Sequence, residues 1–419
     1  MSTATEIDVK ELLAKIDSGR RPTLLDVRND DEFGNWKIEG RAGFEIIHVP
    51  YFDFIEDEQA AIERVPAHEV VVVCAKGGSS EMVADILRGA GIPARNLIGG
   101  MIAYGEYLEP LKVPRPRDEE GDFEIWQFNR RGKGCLSYAI LSEGDAIVVD
   151  PSRAIDVYAS FLEQSGVRKV HVLDTHVHAD HVSGSRSLAE RLGADHTSMK
   201  GGESIRVGKI LFQAIATPGH TPNSFCFLAA GRYLLSGDTL FTKSVGRPDL
   251  GGQVVEWSLD LFDTLKDRLG TLSDSTLVLP AHYSDMTEID PNGVVAARLG
   301  QLRHDLPEFK VHDPNRFSEM MLQAVRTPPP EYARIIDVNL GNSTVDADLM
   351  VRLAQTKRSV LCSFLPTETR FRRYQNTSRI RSTIFAVAAS KRITLPERTT
   401  RRIPTIMGGS CCSNPSGKG

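Results

Sequence analysis

The stretch Thr175-His176-Val177-His178-Ala179-Asp180-His181 constrains this chain more than any other. It gathers three histidines and an aspartate into seven residues, with Asp174 just ahead of them. Lys169–Leu173 before it is rich in β-branched residues and reads as a short strand. Residues 184–192 behind it read as a helix, so the cluster lies on a loop at the carboxyl end of a strand, where open sheets present their chemistry. Neutral imidazoles and ionised carboxylates are the usual protein ligands of zinc and iron. A single His-x-His would fit equally well a polar loop whose histidines cap nearby backbone. Three later stretches argue against that account: Thr217-Pro218-Gly219-His220, Ser236-Gly237-Asp238-Thr239 and Leu279-Pro280-Ala281-His282. Each follows an apolar, strand-like run (211–216, 233–235 and 276–279), so four strand ends carrying His and Asp predict a metal site.

With 419 residues the chain is long enough for two or more domains, and its 41% hydrophobic and 25% charged residues are ordinary for a globular protein. No apolar run approaches the roughly 18 residues that cross a bilayer. Residues 1–20 mix acidic and basic side chains and resemble neither a signal nor a transit peptide, so a cytoplasmic location without membrane partners is expected. Six scattered cysteines suit a reducing compartment. The net charge of −5 is uneven: residues 363–419 hold eleven Lys and Arg against two acids, a balance of +9, which leaves −14 on the preceding 362. Nothing in that acidic body points to nucleic acid.

Near the start, Asp8 and Glu11 form a capping-box pattern ahead of an apolar stripe at Leu12, Leu13 and Ile16, which predicts a helix. Thr23-Leu24-Leu25-Asp26-Val27-Arg28 reads as a buried strand ending in charge, and Glu69-Val70-Val71-Val72-Val73 as a second. The second runs directly into Cys74-Ala75-Lys76-Gly77-Gly78-Ser79-Ser80, followed by a helix with Met82, Val83, Ile86 and Leu87 on its apolar face. Strand, glycine-containing loop and helix aim backbone N–H groups into an anion-binding nest. A cysteine at its mouth would have its thiolate stabilised, which makes Cys74 a candidate nucleophile for sulfur transfer. A small buried residue closing a strand is the bland account. Asp26, Arg28 and Glu32 read as internal ion pairs, and Cys135 and Cys226 read as core.

Residues 1–110 resemble a single rhodanese domain through Leu25-Asp26-Val27-Arg28, Glu32-Phe33, the Cys74–Ser80 loop and Leu97-Ile98-Gly99-Gly100-Met101. The resemblance implies a parallel-sheet domain that carries a sulfane sulfur on Cys74. Many members have an Arg where Ser79 stands, whose lack would weaken binding of an anionic sulfur donor with Lys76 compensating in part, and Lys37-Ile38-Glu39-Gly40-Arg41-Ala42 departs from a second family segment. Residues 111–121, with Pro114 and Pro116, read as a stiff linker.

Strands then dominate, with helices over 154–164 and 254–269, an order that predicts an αββα sandwich over 122–362. This portion resembles the metallo-β-lactamase superfamily and, within it, the persulfide dioxygenases. The likeness rests on 176–181, Thr217-Pro218-Gly219-His220-Thr221-Pro222, Ser236-Gly237-Asp238-Thr239-Leu240-Phe241, Val245-Gly246-Arg247-Pro248-Asp249 and Pro280-Ala281-His282. It implies one ferrous iron per chain, held by His178, His220 and Asp238. His176, Asp180, His181 and His282 would then surround the ligands, and Arg247 would pair with a carboxylate of the substrate. The implied reaction oxidises glutathione persulfide with dioxygen to sulfite and glutathione. The rival pattern is that of glyoxalase II, a thioester hydrolase with two zinc ions. There His176, His178 and His220 would hold one ion and Asp180, His181 and His282 the other, with Asp238 bridging. The Gly246-Arg247-Pro248-Asp249 run and the rhodanese fusion favour the dioxygenase. A non-enzymatic sulfur carrier would show gaps in the ligand set, and there are none. A homodimer is the default expectation, and residues 363–419 read as a basic tail whose composition suggests disorder.

Overall fold

The computed structural model describes residues 5–116, 121–323, 325 and 331–346. The basic tail lies outside these residues.

The amino-terminal part is built on five parallel strands in the order Glu6–Ile7, Ala94–Leu97, Val70–Val73, Thr23–Asp26, Glu45–His48. Val70–Val73 is buried along its whole length, as a central parallel strand must be when helices cover both faces. One face packs Val70, Val72, Val83 and Leu87; the other packs Val71, Leu12, Leu13 and Ile16. Asp8 caps the first helix by accepting a hydrogen bond from the Glu11 N–H at 2.7 Å.

Two six-stranded sheets follow. The first runs Asp195–His196, Lys169–Leu173, Asp145–Val149, Cys135–Ser142, Glu124–Arg130, Glu109–Lys112. The second runs Ser204–Val207, Ile210–Ala216, Phe225–Ala229, Tyr233–Gly237, Leu277–Pro280, Ala297–Arg298. Ile125, Tyr138, Val149 and Leu173 of the first sheet meet Phe212, Phe227, Leu235 and Leu279 of the second in a shared core. Helices Ile155–Gln164 and Ser185–Leu192 cover the outer face of the first sheet, and Val254–Asp263, Leu299–Asp305 and Pro314–Leu322 cover that of the second. The layers are α, β, β, α.

Two local expectations change. Leu111 and Lys112, read as linker, belong to the edge strand Glu109–Lys112, which pairs antiparallel with Glu124–Arg130. The Val113 N–H donates to Ile125 O at 2.8 Å and its side chain enters the core between the sheets, so apolar alternation outweighs the prolines, which an edge strand tolerates. The helix expected over 254–269 is α-helical only over Val254–Asp263, widens to π-type turns at Thr264–Arg268 and closes as a 3₁₀ turn at Leu269–Thr271. Thr264 uses its hydroxyl to donate to Pro218 O at 2.8 Å, which ties the wide turn to the loop that carries His220.

The two folded parts touch closely. Trp36 Nε1 donates to Gly132 O at 3.0 Å, and the buried Arg131 pairs with Asp17 and, at 3.2 Å, with Glu109. No described helix is long and apolar enough to cross a membrane.

Candidate metal centre and sulfur-transfer loop

Every acidic or imidazole group of the expected centre is delivered by the carboxyl end of a strand. Asp150 follows Asp145–Val149, the histidine loop follows Lys169–Leu173, His220 follows Ile210–Ala216, Asp238 follows Tyr233–Gly237 and His282 follows Leu277–Pro280. Gly219 (φ +138°) has no room for a side chain, since a Cβ would lie 2.5 Å from the Leu261 backbone. The His220 loop is thereby pressed onto the Val254–Asp263 helix.

The hydrogen bonds assign the imidazole tautomers. Thr175 gives its hydroxyl proton to Asp150 Oδ2 at 2.9 Å, so its oxygen accepts from His176 Nδ1 at 2.9 Å. His220 Nδ1 donates to Arg247 O at 3.0 Å. His178 Nε2 donates to Asp150 Oδ1 at 3.0 Å and lies 3.6 Å from Asp174. His176 Nε2 and His220 Nε2 therefore keep their lone pairs. His176 Nε2 and His220 Nε2 stand 3.7 and 3.5 Å from Asp238 Oδ2, and the His176 and His178 rings are 4.3 Å apart. His178 Nδ1 and Asp238 Oδ2 are buried and have no hydrogen-bond partner. A buried carboxylate oxygen left bare is costly unless a cation meets it, so these donors fit a metal ion.

The electrostatics agree. Burial, helped by the charge of His178, pushes His176 well below the ordinary imidazole value, and burial also lowers His220 and His181, which leaves them neutral as ligands require. Burial opposes the charge on Asp238, yet His282, His176 and His220 hold its carboxyl far below the usual range. His178 moves the other way: against its burial, the Asp150 and Asp174 carboxylates raise it well above the ordinary value. Two carboxylates so placed favour the charged imidazolium of His178 and fix its orientation.

The ligating atoms group as His176, His220 and Asp238, then Asp150, Asp174 and His178, then Cys135, Asp180, His181 and His282. The structure thus gathers His176, in place of the expected His178, with His220 and Asp238, and turns His178 Nε2 onto Asp150 and Asp174. In the third group the donors face one another. His282 Nδ1 lies 2.7 Å from Asp238 Oδ1, His282 Nε2 lies 2.8 Å from Asp180 Oδ2, and His181 Nδ1 lies 3.1 Å from Asp180 Oδ1. Cys135, read as core, is buried but lines this position, with Sγ 4.0 Å from Asp180 Oδ2. Its strand start forms a bridge with His282, an arrangement that chain order does not foretell. Cys226 does belong to the core, where burial pushes its thiol up to about 11.

Arg247 is buried, and its guanidinium makes two 2.6 Å contacts with Asp249. Its backbone oxygen is what reaches the centre, through His220. Asp150 and Asp174 lay in view in the sequence without a role. The signal for Asp150 was an acid closing a buried apolar strand.

In the amino-terminal part Cys74 is buried at the end of Val70–Val73. Its sulfur accepts the Gly77 N–H at 3.0 Å and stands 3.1 Å from Ser80 Oγ. Ser80 in turn is 2.7 Å from Asn96 Oδ1. Gly77 (φ +101°) turns the loop into the helix Gly78–Gly89, and at Gly100 a Cβ would meet Cys74 O at 2.2 Å. Lys76 is exposed on the loop. Arg28 pairs with Asp26 at 2.7 Å inside the domain, whereas Glu32 contributes its backbone oxygen to Arg28 at 3.1 Å.

A four-layer sandwich with His and Asp gathered at its strand ends defines a metal-dependent enzyme fold, here preceded by a separate parallel-sheet domain with a cysteine loop. The metallo-beta-lactamase superfamily model matches residues 130–200 and 194–282, and the rhodanese-like domain model matches residues 8–106. A hydroxyacylglutathione hydrolase of Xanthomonas euvesicatoria pv. vesicatoria (strain 85-10) is 37% identical over 181 residues, which is 39% of this chain and 68% of that protein. The mitochondrial persulfide dioxygenase ETHE1 of Bos taurus is 28% identical over 173 residues, 37% of this chain and 67% of that protein. The crystal structure of ETHE1 from Myxococcus xanthus is 27% identical with a TM-score of 0.46, covering 52% of this chain and 99% of that one. The chain belongs to the metallo-beta-lactamase superfamily and carries a rhodanese-like domain ahead of the metal-binding one.

Proposed function

We propose that the chain is a persulfide dioxygenase, which oxidises the outer sulfur of glutathione persulfide with dioxygen to sulfite at one iron that His176 Nε2, His220 Nε2 and Asp238 Oδ2 would hold. The observation that carries this reading is an asymmetry. Asp238 Oδ2 is buried without a hydrogen-bond partner and faces His176 Nε2 and His220 Nε2, whereas Asp180, His181 and His282 of the neighbouring cluster already satisfy one another. Two imidazoles and a carboxylate on one side leave positions for two further ligands, the arrangement of non-haem iron oxygenases. The iron, when bound, would supply the redox activation of dioxygen. The chain's residues supply the rest. The Thr175 hydroxyl and the Arg247 backbone orient the ligating rings, His178 on Asp150 stands beside them, and the buried setting keeps bulk water from the reacting sulfur. Net, persulfide, dioxygen and water give sulfite and glutathione. The rhodanese-like domain then moves sulfane sulfur among sulfite, thiosulfate and thiols on Cys74, and a Cys74→Ser protein with an unchanged product mixture would remove that part of the proposal.

A second reading is the thioester hydrolase. Its specific support is the higher identity to the hydroxyacylglutathione hydrolase, together with a complete set of ligands for two ions. Metal analysis of anaerobically purified protein, combined with oxygen uptake on glutathione persulfide, separates the two. About one iron per chain with uptake and sulfite release is the expected result. Two zinc ions per chain, no uptake and turnover of S-lactoylglutathione would install the hydrolase.

A further inference from the structure

The loop that carries the three histidines has little backbone support of its own. Among the described residues, no N–H from His176 to Val182 donates to another backbone group. The loop is held instead by one side chain from far along the sequence. Asn339, near the end of the helix Tyr332–Leu340, donates through Nδ2 to His178 O at 2.8 Å and to His181 O at 2.9 Å. Its Oδ1 accepts the Ser183 N–H at 2.9 Å. Both amide protons and the amide oxygen are thus spent on the loop, and the donor–acceptor pattern admits only this orientation of the amide. The helix end is fixed in turn: Arg186 Nη2 donates to Leu340 O at 3.2 Å, and Gly341 (φ +82°) closes the helix where a Cβ would lie 2.2 Å from Arg186.

We propose that Asn339 is a positioning residue for the metal centre, clamping the loop so that His178, Asp180 and His181 keep their places. The two carbonyls it holds bracket Ala179 and Asp180, so its grip fixes the turn between His178 and the Asp180–His181 pair. Ligands must be held to within about half an ångström to bind an ion well, and partners one shell out are worth about ten- to a hundredfold in metal affinity. The inference rests on the metal-binding reading of the loop, and it holds whichever reaction the ion serves.

The test uses the metal-loaded full chain and two substitutions. Asn339→Asp keeps the shape and the acceptor for Ser183 but sets a carboxylate oxygen against two carbonyl oxygens. Asn339→Ala removes the contacts without adding repulsion. Loss of metal to a chelator should be at least about tenfold faster in N339D than in the parent, with N339A in between. Hydrogen exchange of the 176–183 amides should quicken in both. A residue that only fills space would give the opposite order, because Asp is the better fit, and that order, or parent-like release in both variants, overturns the proposal. Should the parent bind neither iron nor zinc, the metal reading itself falls, and the exchange rates of the two variants alone then decide whether the clamp exists.

Discussion

Asp150 occupies a left-handed backbone conformation (φ +53°) that a non-glycine residue adopts at a cost of order 1 kcal/mol. The strain is held by what its carboxylate does. It accepts the Thr175 N–H at 2.6 Å, the Thr175 hydroxyl and His178 Nε2, and so sets the start of the histidine loop and the direction of one ring together. Asp150→Asn should keep the fold and weaken metal retention by about ten- to a hundredfold, because an amide has one acceptor oxygen for three donors and the Thr175 hydroxyl, which Asp150 holds, is what orients His176. Chelator competition measures this, and unchanged affinity would mean that Asp150 serves the loop alone. The His-x-His-x-Asp-His cluster, His220, Asp238 and His282 were legible in the sequence, because strand-end loops dense in ligating residues are rare by chance. Asp150, Asp174 and Asn339 were not. Each acts through a hydrogen bond whose partner is fixed by folding, and an isolated Asp or Asn carries no spacing signal.

The short helix Pro307–Lys310 contains a buried anomaly. Glu308 has no exposed surface, neither carboxylate oxygen has a hydrogen-bond partner, and burial pushes its carboxyl up to about 7 from 4.5. The folded state therefore binds this proton more tightly than the unfolded chain. The stability that Glu308 allows is complete below about pH 4.5 and is lost as pH rises through about 7, where the buried group must ionise or stay protonated at a cost. Glu308→Gln cannot ionise and should stabilise the protein by about 3 kcal/mol at pH 8, with little gain at pH 5. Thermal melts of both proteins at the two pH values test this. A stability gap that is the same at pH 5 and pH 8 would exclude Glu308 as the titrating group. Nothing in the sequence marks Glu308, since Glu in a first helical turn reads as a surface residue. The sandwich was legible for the opposite reason: its strands are apolar runs that end in turn residues. The edge strand Glu109–Lys112 was hidden by prolines that an edge, lacking one set of ladder bonds, accommodates.

Across the whole molecule, the contact between the rhodanese-like domain and the metal-binding domain has the character of an interior. Trp36 is buried, its indole N–H is satisfied by Gly132 O, and Lys133 stands 4.0 Å over the same ring. Gly132 is the point of closest approach: a Cβ there would lie 2.7 Å from Tyr104 O and 2.9 Å from Gly105 Cα, both backbone atoms that cannot swing away. The same short segment continues to Cys135 and its bridge with His282, so the surface on which the rhodanese-like domain rests is also one wall of the metal centre. Composition could not reveal this, because a linker rich in proline and charge looks alike whether it separates two domains or lies in a sheet between them. Gly132→Ala should force the two backbones apart and cost about 1–3 kcal/mol, the usual range for overpacking. Trp36→Phe should cost about 1 kcal/mol, the worth of its hydrogen bond. If the contact is as close as the structure has it, the Gly132 variant should also open the region of residues 109–135 to protease before either domain unfolds, while the Trp36 variant should not. Equal resistance of parent and Gly132 variant, with equal melting temperatures, would show that the domains move independently in solution.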